Sequence, residues 1–373
     1  MLKNFHLTLL IGQAVPVPAP RSVTDALTSV SVTSGGTRSG FQLTFAAGKK
    51  SPLTKTMLPV GLFDPMLTRV ILVVTLGGVP NVIMDGVVTR QEVAPSNEAG
   101  GSTLTVTGED LSVLMDVIER PMLYPAIPDE VQVLATLAPY LRFGIVPVVV
   151  PRLFPYVATP MERVYTQMST DLDFVSELAR NVGYTFYIEP GPAPGANLAY
   201  WGPDIRIPIP QPALNVNMDA HTNVESLNFS LDGLAKTLTV MFVQDPVTKK
   251  IPIPVPVPEL SILRPPLGAR QARPAKVKFE AGTHLTIPEA ISKALGISIN
   301  SSDSVTGSGS LNVLRYGRIL RSRQLVGVRG AGLAYDGLYY VNSVTHSIKR
   351  GEYKQSFQLA RDGLVSITPK VPV

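Results

Sequence analysis

A chain of 373 residues is long enough for several domains with sizeable cores. Hydrophobic residues make up 45% of it, ordinary for a globular protein, and charged residues only 16%, so a disordered charged chain is excluded. The net charge is +5 with the basic residues dispersed, and the absence of cysteine excludes disulfides and thiolate metal sites.

Met1-Leu2-Lys3, the short apolar run 7–11 and the stretch 14–20 have a signal-peptide-like outline. The run is too short, however, and Thr8 interrupts it. A first strand ending in a Pro-rich turn is the expectation. No run approaches membrane-spanning length, so synthesis and assembly in the cytoplasm are expected, with no direct membrane insertion.

Phe41, Leu43 and Phe45 alternate with Gln42 and Thr44, the pattern of a half-buried strand. Residues 70–74 are unbroken apolar and should be buried on both faces. Gly77-Gly78 marks a turn and Asp85-Gly86 a second one. A strand over 87–93, a Gly-containing loop over 94–102 and a return strand over 103–107 follow, closed by Gly108. Leu111, Leu114, Met115 and Ile118 fall at helical spacing, with Glu109 and Asp110 in the first turn.

The character changes after residue 118. Pro128-Asp129-Glu130 opens a helix to about Ala138, and 145–165 reads as extended and Pro-rich. The next helix is the best marked: Thr170 and Asp173 resemble a capping box, Phe174, Leu178 and Val182 form a stripe, and Gly183 caps the end. A strand over 184–188 and a turn-rich loop lead to Trp201, the only tryptophan, read either as an anchor for a partner or as a plug between domains.

Strands are expected over 226–231 and 236–243, joined by an Asp232-Gly233 turn. Alternating Pro over 251–258 cannot sit in a central strand and reads as a linker or an edge laid against a neighbour. A short helix over 286–296 and a flexible Ser/Gly loop over 301–310 follow. Arg315, Arg318, Arg321 and Arg323 form the only local basic cluster, placed by alternation largely on one strand face. The last strands flank a turn at 349–352, with Asp336-Gly337 as the turn signal at the mouth of that hairpin.

The layout of 70–111 recurs in 324–364: an apolar strand, a Gly turn, Asp-Gly, a strand, a hairpin and an alternating return strand. This reads as a duplication of one antiparallel β-unit. Two copies are too few for a solenoid, so two related barrels or sandwiches are expected.

Segments 39–45, 106–111, 170–179, 189–203 and 336–361 together resemble the late control protein D family of phage tails and the hub portion of VgrG-type spike proteins. The resemblance implies a β-rich α+β fold with two tube-like antiparallel β-barrel domains and smaller α/β insertions. The domains would be 1–118, a first barrel; 119–204, an α+β insertion; 205–245 with 310–365, a split second barrel; and 246–309, a Pro-rich and helical insertion. It implies a structural hub of a contractile injection system, a homotrimer whose duplicated barrels match a six-fold inner tube. Its partners would be itself, the inner tube protein, baseplate proteins and a spike, the last expected as a separate chain because no spike segment follows Val373. Asp85, Gly86, Gly108, Trp201, Asp336 and Gly337 are the motif positions carried by this reading.

No catalytic, cofactor or metal site is expected, nor any specific nucleic-acid site. The four histidines lack metal-ligand spacing, and Ser343 and His346 point to opposite faces of one strand. The alternative is a monomeric glycan- or peptidoglycan-binding module built around Trp201; a hydrolase would need His346 beside a carboxylate.

Overall fold

Apolar and polar residues alternate in many segments, and strands are the main element among the described residues. The computed structural model describes residues 5–13, 15–36, 38–98, 101–152, 165–206, 209–244, 252–255, 264–282 and 303–368. The first unit contains β1 (Phe5–Gly12), β2 (Val17–Pro18), β3 (Leu27–Gly35), β4 (Gly40–Ala46), β5 (Arg69–Leu76), β6 (Val79–Ala94) and β7 (Thr103–Asp110). The insertion after it holds β8 (Met122–Tyr124), β9 (Ile145–Val149), β10 (Tyr165–Gln167), β11 (Thr185–Pro190) and β12 (Asn197–Gly202). β13 (Gln211–Asn215) and β14 (Val224–Leu231) begin the second unit. β15 (Thr237–Gln244), β16 (Pro252–Val255), β17 (Gly268–Gln271) and β18 (Lys276–Gly282) interrupt it. It resumes with β19 (Val305–Asn312), β20 (Leu325–Arg329), β21 (Gly337–Lys349), β22 (Glu352–Arg361) and β23 (Gly363–Ser366).

Both units lie in one 13-stranded sheet. The first runs β1-β5-β6-β7-β4-β3 and the second β13-β20-β21-β22-β19-β14, the same order twice. The duplication extends to irregularities. β6 slips register against β7 after Val88, and β21 slips against β22 after Val341. β3 slips against β4 after Leu27, and β14 against β19 after Val224. Two unrelated barrels would not place β-bulges at matching positions, since each bulge bends its strand in a specific way. One difference is that β1 runs antiparallel to β5 while β13 runs parallel to β20.

Packing is conserved between the copies with large and small residues exchanged. Phe41 sits opposite Gly108 in the first copy, and Gly307 opposite Leu359 in the second. A Cβ on Gly108 would lie 2.3 Å from the Phe41 ring, so the glycine makes room for the phenyl group. One continuous core, from Leu9, Val32, Leu43, Leu72 and Val106 to Leu311, Val328, Val341 and Phe357, fills both units. A second core, with Tyr140, Phe174, Leu178 and Trp201, fills the α/β insertion.

α1 (Arg21–Ala26) precedes β3, whereas α2 (Asp129–Leu137) and α3 (Asp171–Asn181) belong to the insertion. Thr170 Oγ1 accepts the Asp173 N–H at 3.3 Å as the sequence implies. Leu172, Phe174, Val175 and Leu178 are buried, and Gly183 takes φ of 72° beyond the helix end.

Several expectations need correction. Asp85-Gly86 is not a turn but lies inside β6, which is continuous through residues 79–94. The helix over 111–118 is only a short 3-10 segment, Leu111–Met115, capped by the Asp110 carboxylate on the Ser112 N–H. Residues 305–310 are not a flexible loop but part of β19, whose glycines face aromatic rings. A Cβ on Gly307 would lie 2.9 Å from Phe229, and one on Gly309 2.7 Å from Phe357. β15 leaves the barrel instead of pairing with β14; it pairs with β16 and β18 in a separate small sheet. There the Pro-alternating Pro252–Val255 forms an edge strand, the one sheet position its missing donors allow. The expected helix over 286–296 lies outside the described residues. Arg315 sits in a helical turn, Val313–Tyr316, and Arg321 and Arg323 follow in a loop, so the arginines do not share a strand face.

Candidate assembly surface

The two units meet where β21 changes partner. Its first residues, 337–340, pair with β20, and residues 343–349 pair antiparallel with β3. Val344 and Ile348 are buried there, together with Val30 and Val32. On the outward face Thr33 and Thr345 bring their hydroxyls to 3.2 Å.

The same switch occurs in β6 up to a point. Residues 79–87 pair with β5, and the Val88 N–H donates to Thr68 O at 2.9 Å, matching Val341 N to Gln324 O at 2.9 Å. Met66 and Arg323, beside these contacts, both hold left-handed backbones, with φ of 63° and 58°. Beyond Val88 the likeness ends. Among the described residues no strand pairs with the edge of Arg90–Ala94 that faces away from β7. None pairs with the outer edge of β14, the counterpart of β3. Val93 there is 51% exposed, whereas its register counterpart His346 is 3% exposed.

The outward face of the run β14-β19-β22-β21-β3-β4-β7-β6 is uncharged over most of its width. It presents Ser31 and Thr33 on β3, Gln42 on β4, Thr107 on β7, Ser308 on β19 and Gln358 on β22. Charges occur chiefly at the rims, in ion pairs: Arg90 with Glu92, Arg38 with Glu109 at 3.2 Å, and Lys354 with Glu225 at 3.1 Å.

The motif residues fall in three places. Asp85 is buried in a bidentate pair with Arg69, at 2.7 and 2.8 Å, and also accepts from Asn197 Nδ2 at 2.9 Å. It therefore ties the first unit to β12, whose far end carries Trp201. Gly86 allows close backbone approach, since a Cβ would lie 2.1 Å from Glu109 O; Gly108 lies on the adjoining strand. Trp201 is fully buried and packs edge-on against Tyr184 at 4.9 Å, so it lines no groove. Asp336 accepts the Ala331 N–H at 2.7 Å, and Gly337 has φ of 117°, as a turn before β21 requires.

Two buried groups had no local signal in the sequence. Asp303 accepts hydrogen bonds from both terminal guanidinium nitrogens of Arg206, at 2.9 and 2.7 Å, and one from Arg264 at 2.6 Å. Burial alone would raise the Asp303 carboxyl, but the two arginines outweigh it and hold it below its usual range. Arg206 also lies over the Tyr340 ring at 4.4 Å, so this cluster pins both ends of the 264–303 segment to the second unit. His346 is buried with Nδ1 2.6 Å from Tyr353 Oη and has no carboxylate partner among the described residues. Burial, with a smaller contribution from Arg321, pushes its imidazole down to about 3. A hydrolytic role for Ser343 and His346 loses its base–carboxylate pair.

Among the described residues no group of three or more His, Asp or Glu could hold a metal ion, and no helix is long and apolar enough to cross a membrane.

No protein-family model and no curated protein matches the chain. Solved structures do. The tail protein of Neisseria meningitidis MC58 superposes with a TM-score of 0.63 over 97% of this chain and 98% of that one, at 14% identity. The 43 kDa tail protein of prophage MuSo2 from Shewanella oneidensis gives 0.62 over 97% and 100%, also at 14% identity. The E. coli c3393 protein, a component of the type VI secretion system, gives 0.54 over 93% of this chain and 77% of that one, at 12% identity. The chain thus shares its overall fold with these tail proteins and with the type VI secretion component.

Proposed function

We propose that this chain is the structural hub of a phage-tail-like contractile particle, assembled as a ring of three copies. The observation that carries the reading is the unfilled half of the internal duplication. One unit joins the next through β21 and β3 within the chain. The equivalent strands, β6 beyond Val88 and β14, have no strand on their outer edges among the described residues. Such edges invite strand addition, and a closed ring removes them. Transferring the internal register sets Glu92 of one copy opposite Ser230 of the next. This contact is heterologous, so it must close to be finite. Three copies present six units, matching a six-fold tube, while the ring itself keeps three-fold symmetry for a spike and baseplate.

In that ring the hydroxyl and amide face forms the channel wall. About 24 strands spaced ~4.8 Å apart give a circumference of roughly 115 Å, wide enough for an aqueous bore after side chains are placed. The role is proposed as architectural, without catalysis. A monomeric glycan-binding module finds no support, because Trp201 is enclosed in the insertion core.

Native mass spectrometry of the purified chain tests the reading, together with oxidation of the Glu92→Cys, Ser230→Cys double variant. The chain has no cysteine of its own, so the only available disulfide is the one introduced. A trimer, and covalent trimers after oxidation, are expected. A strict monomer that forms no inter-chain disulfide, even beside the particle's tube protein, would sink the ring.

A further inference from the structure

The seam inside the chain and the seam proposed between chains differ in charge. Where β21 meets β3, Ser343 lies opposite Gly35, Thr345 opposite Thr33 and Ser347 opposite Ser31. None of these residues is charged. Their equivalents follow from the matched ladders. Ser31 pairs with Gln42 as Asn228 pairs with Ser308, and Ser343 pairs with Gln358 as Arg90 pairs with Thr107. The same register carried between copies therefore sets Arg90 opposite Asp232, beside Glu92 opposite Ser230 and Ala94 opposite Asn228.

Arg90 and Asp232 are both exposed in the single chain, and both sit on ordered backbone. The Asp232 N–H donates to Ser304 O at 2.9 Å, one step past the Leu231–Val305 pair, so the β14–β19 ladder reaches it. Asp232 Oδ1 accepts the Leu234 N–H at 2.8 Å, and Oδ2 has no partner among the described residues. The Arg90 side chain is 70% exposed and bonded to Glu92 on the same strand face. Gly35 shows why such a pair has no place in the internal seam: a Cβ there would lie 2.3 Å from Asn342 O. An aspartate at that position requires a wider gap, which an arginine side chain spans.

We infer that Arg90 of one copy and Asp232 of the next form an ion pair that sets the register of the seam between copies. The inference rests on the ring proposed above and adds what selects its alignment. Strands that meet through small polar side chains specify register weakly, and a shift of two residues keeps every side chain on its own face. The internal seam is fixed by buried Val30, Val32, Val344 and Ile348. Between copies Gln91 stands in the place of Val344, so apolar contact fixes less. A two-residue shift one way sets Glu92 opposite Asp232, and like charges facing one another across strands are unfavourable. The shift the other way sets Arg90 opposite Ser230 and parts it from Asp232.

A double-variant cycle on the full chain tests the pair, read as the concentration of half-assembly in native mass spectrometry. Arg90→Gln and Asp232→Asn, the second keeping an acceptor for the Leu234 N–H, should each raise that concentration ~3-fold or more at low salt. The combined variant should be no worse than either single one, because the two losses are the same loss. All differences should shrink at about 0.5 M salt. Disulfide trapping reads the register: Glu92→Cys with Ser230→Cys reports the inferred alignment, and Glu92→Cys with Asn228→Cys a two-residue shift. Adding Arg90→Gln should move yield from the first pair to the second. Additive losses in the cycle, or single variants that assemble as the trimeric parent does, overturn the inference and leave the ring intact. A parent that stays monomeric, alone and beside tube protein, removes the ring and this inference with it.

Discussion

Thr33 and Thr345 face one another across β3 and β21, with their Oγ1 atoms 3.2 Å apart. They mark the place where the two halves of a duplicated chain are joined into one sheet. Their register equivalents are Ser230 and Glu92, both exposed and without an opposing strand among the described residues. A contact made once inside the chain is thus available again between chains.

Val93→Lys should separate folding from assembly. Val93 is 51% exposed in the single chain, so the change should alter stability by less than about 0.5 kcal/mol in a denaturant titration. In the ring Val93 takes the place that His346 holds in the internal seam, where a lysine would be buried without a partner. Trimer mass should disappear, while the unfolding curves of parent and variant coincide when both are diluted to monomers.

Gln42 and Ser308 occupy the same register position in the two units, opposite Thr107 and Gln358. Single cysteines at either position should react alike with a small maleimide in the assembled ring. A reagent too large for the bore should label both in the free chain and neither in a closed particle. Unequal protection of the two positions would contradict a wall built from equivalent units.

Asp85→Ala should be costly. The carboxylate is fully enclosed against Arg69, which is itself only 12% exposed. Removing one member of such a pair leaves an uncompensated buried charge and costs about 3–5 kcal/mol. Replacing both, with Asp85→Leu and Arg69→Met, should recover much of the loss. Equilibrium unfolding in urea checks both variants.

Stability should fall on mild acidification because of His346. Its folded-state pKa, near 3, lies below the ordinary histidine value of 6.5, so the unfolded chain takes up a proton that the folded chain refuses. The contribution is therefore constant above about pH 6.5 and declines as pH falls from there toward the folded value. Between pH 6.5 and 5 the parent should lose roughly 1–2 kcal/mol more than His346→Gln, which stays neutral throughout. Parallel pH profiles for the two proteins would contradict this.

Much of the β-architecture was legible because strand alternation is a local property. Phe41, Leu43 and Phe45 announce β4 within seven residues, and Thr170 and Gly183 bracket α3 without reference to anything distant. The glycine-rich segments were harder. Gly307 and Gly309 looked like freedom and are instead a response to crowding by Phe229 and Phe357, rings from other strands. Asp85-Gly86 carried a turn signature, yet Arg69 holds the aspartate inside a strand and Glu109 O leaves no room for a Cβ at the glycine.

By itself the sequence determined that this is a β-rich duplicated chain, with turns at Gly77-Gly78 and Asp336-Gly337 and no cysteine chemistry. Side-chain periodicity and positive-φ demands are read from a few neighbouring residues, and they survive whatever the rest of the chain does. Only the tertiary structure decided which strands pair. The joining of residue 33 to residue 345, the departure of β15 from the barrel and the Arg206–Asp303–Arg264 cluster all depend on partners far apart in the chain. The edges of β6 and β14 that carry no strand among the described residues follow from the same pairing, because a strand edge is free or filled only in relation to its neighbours.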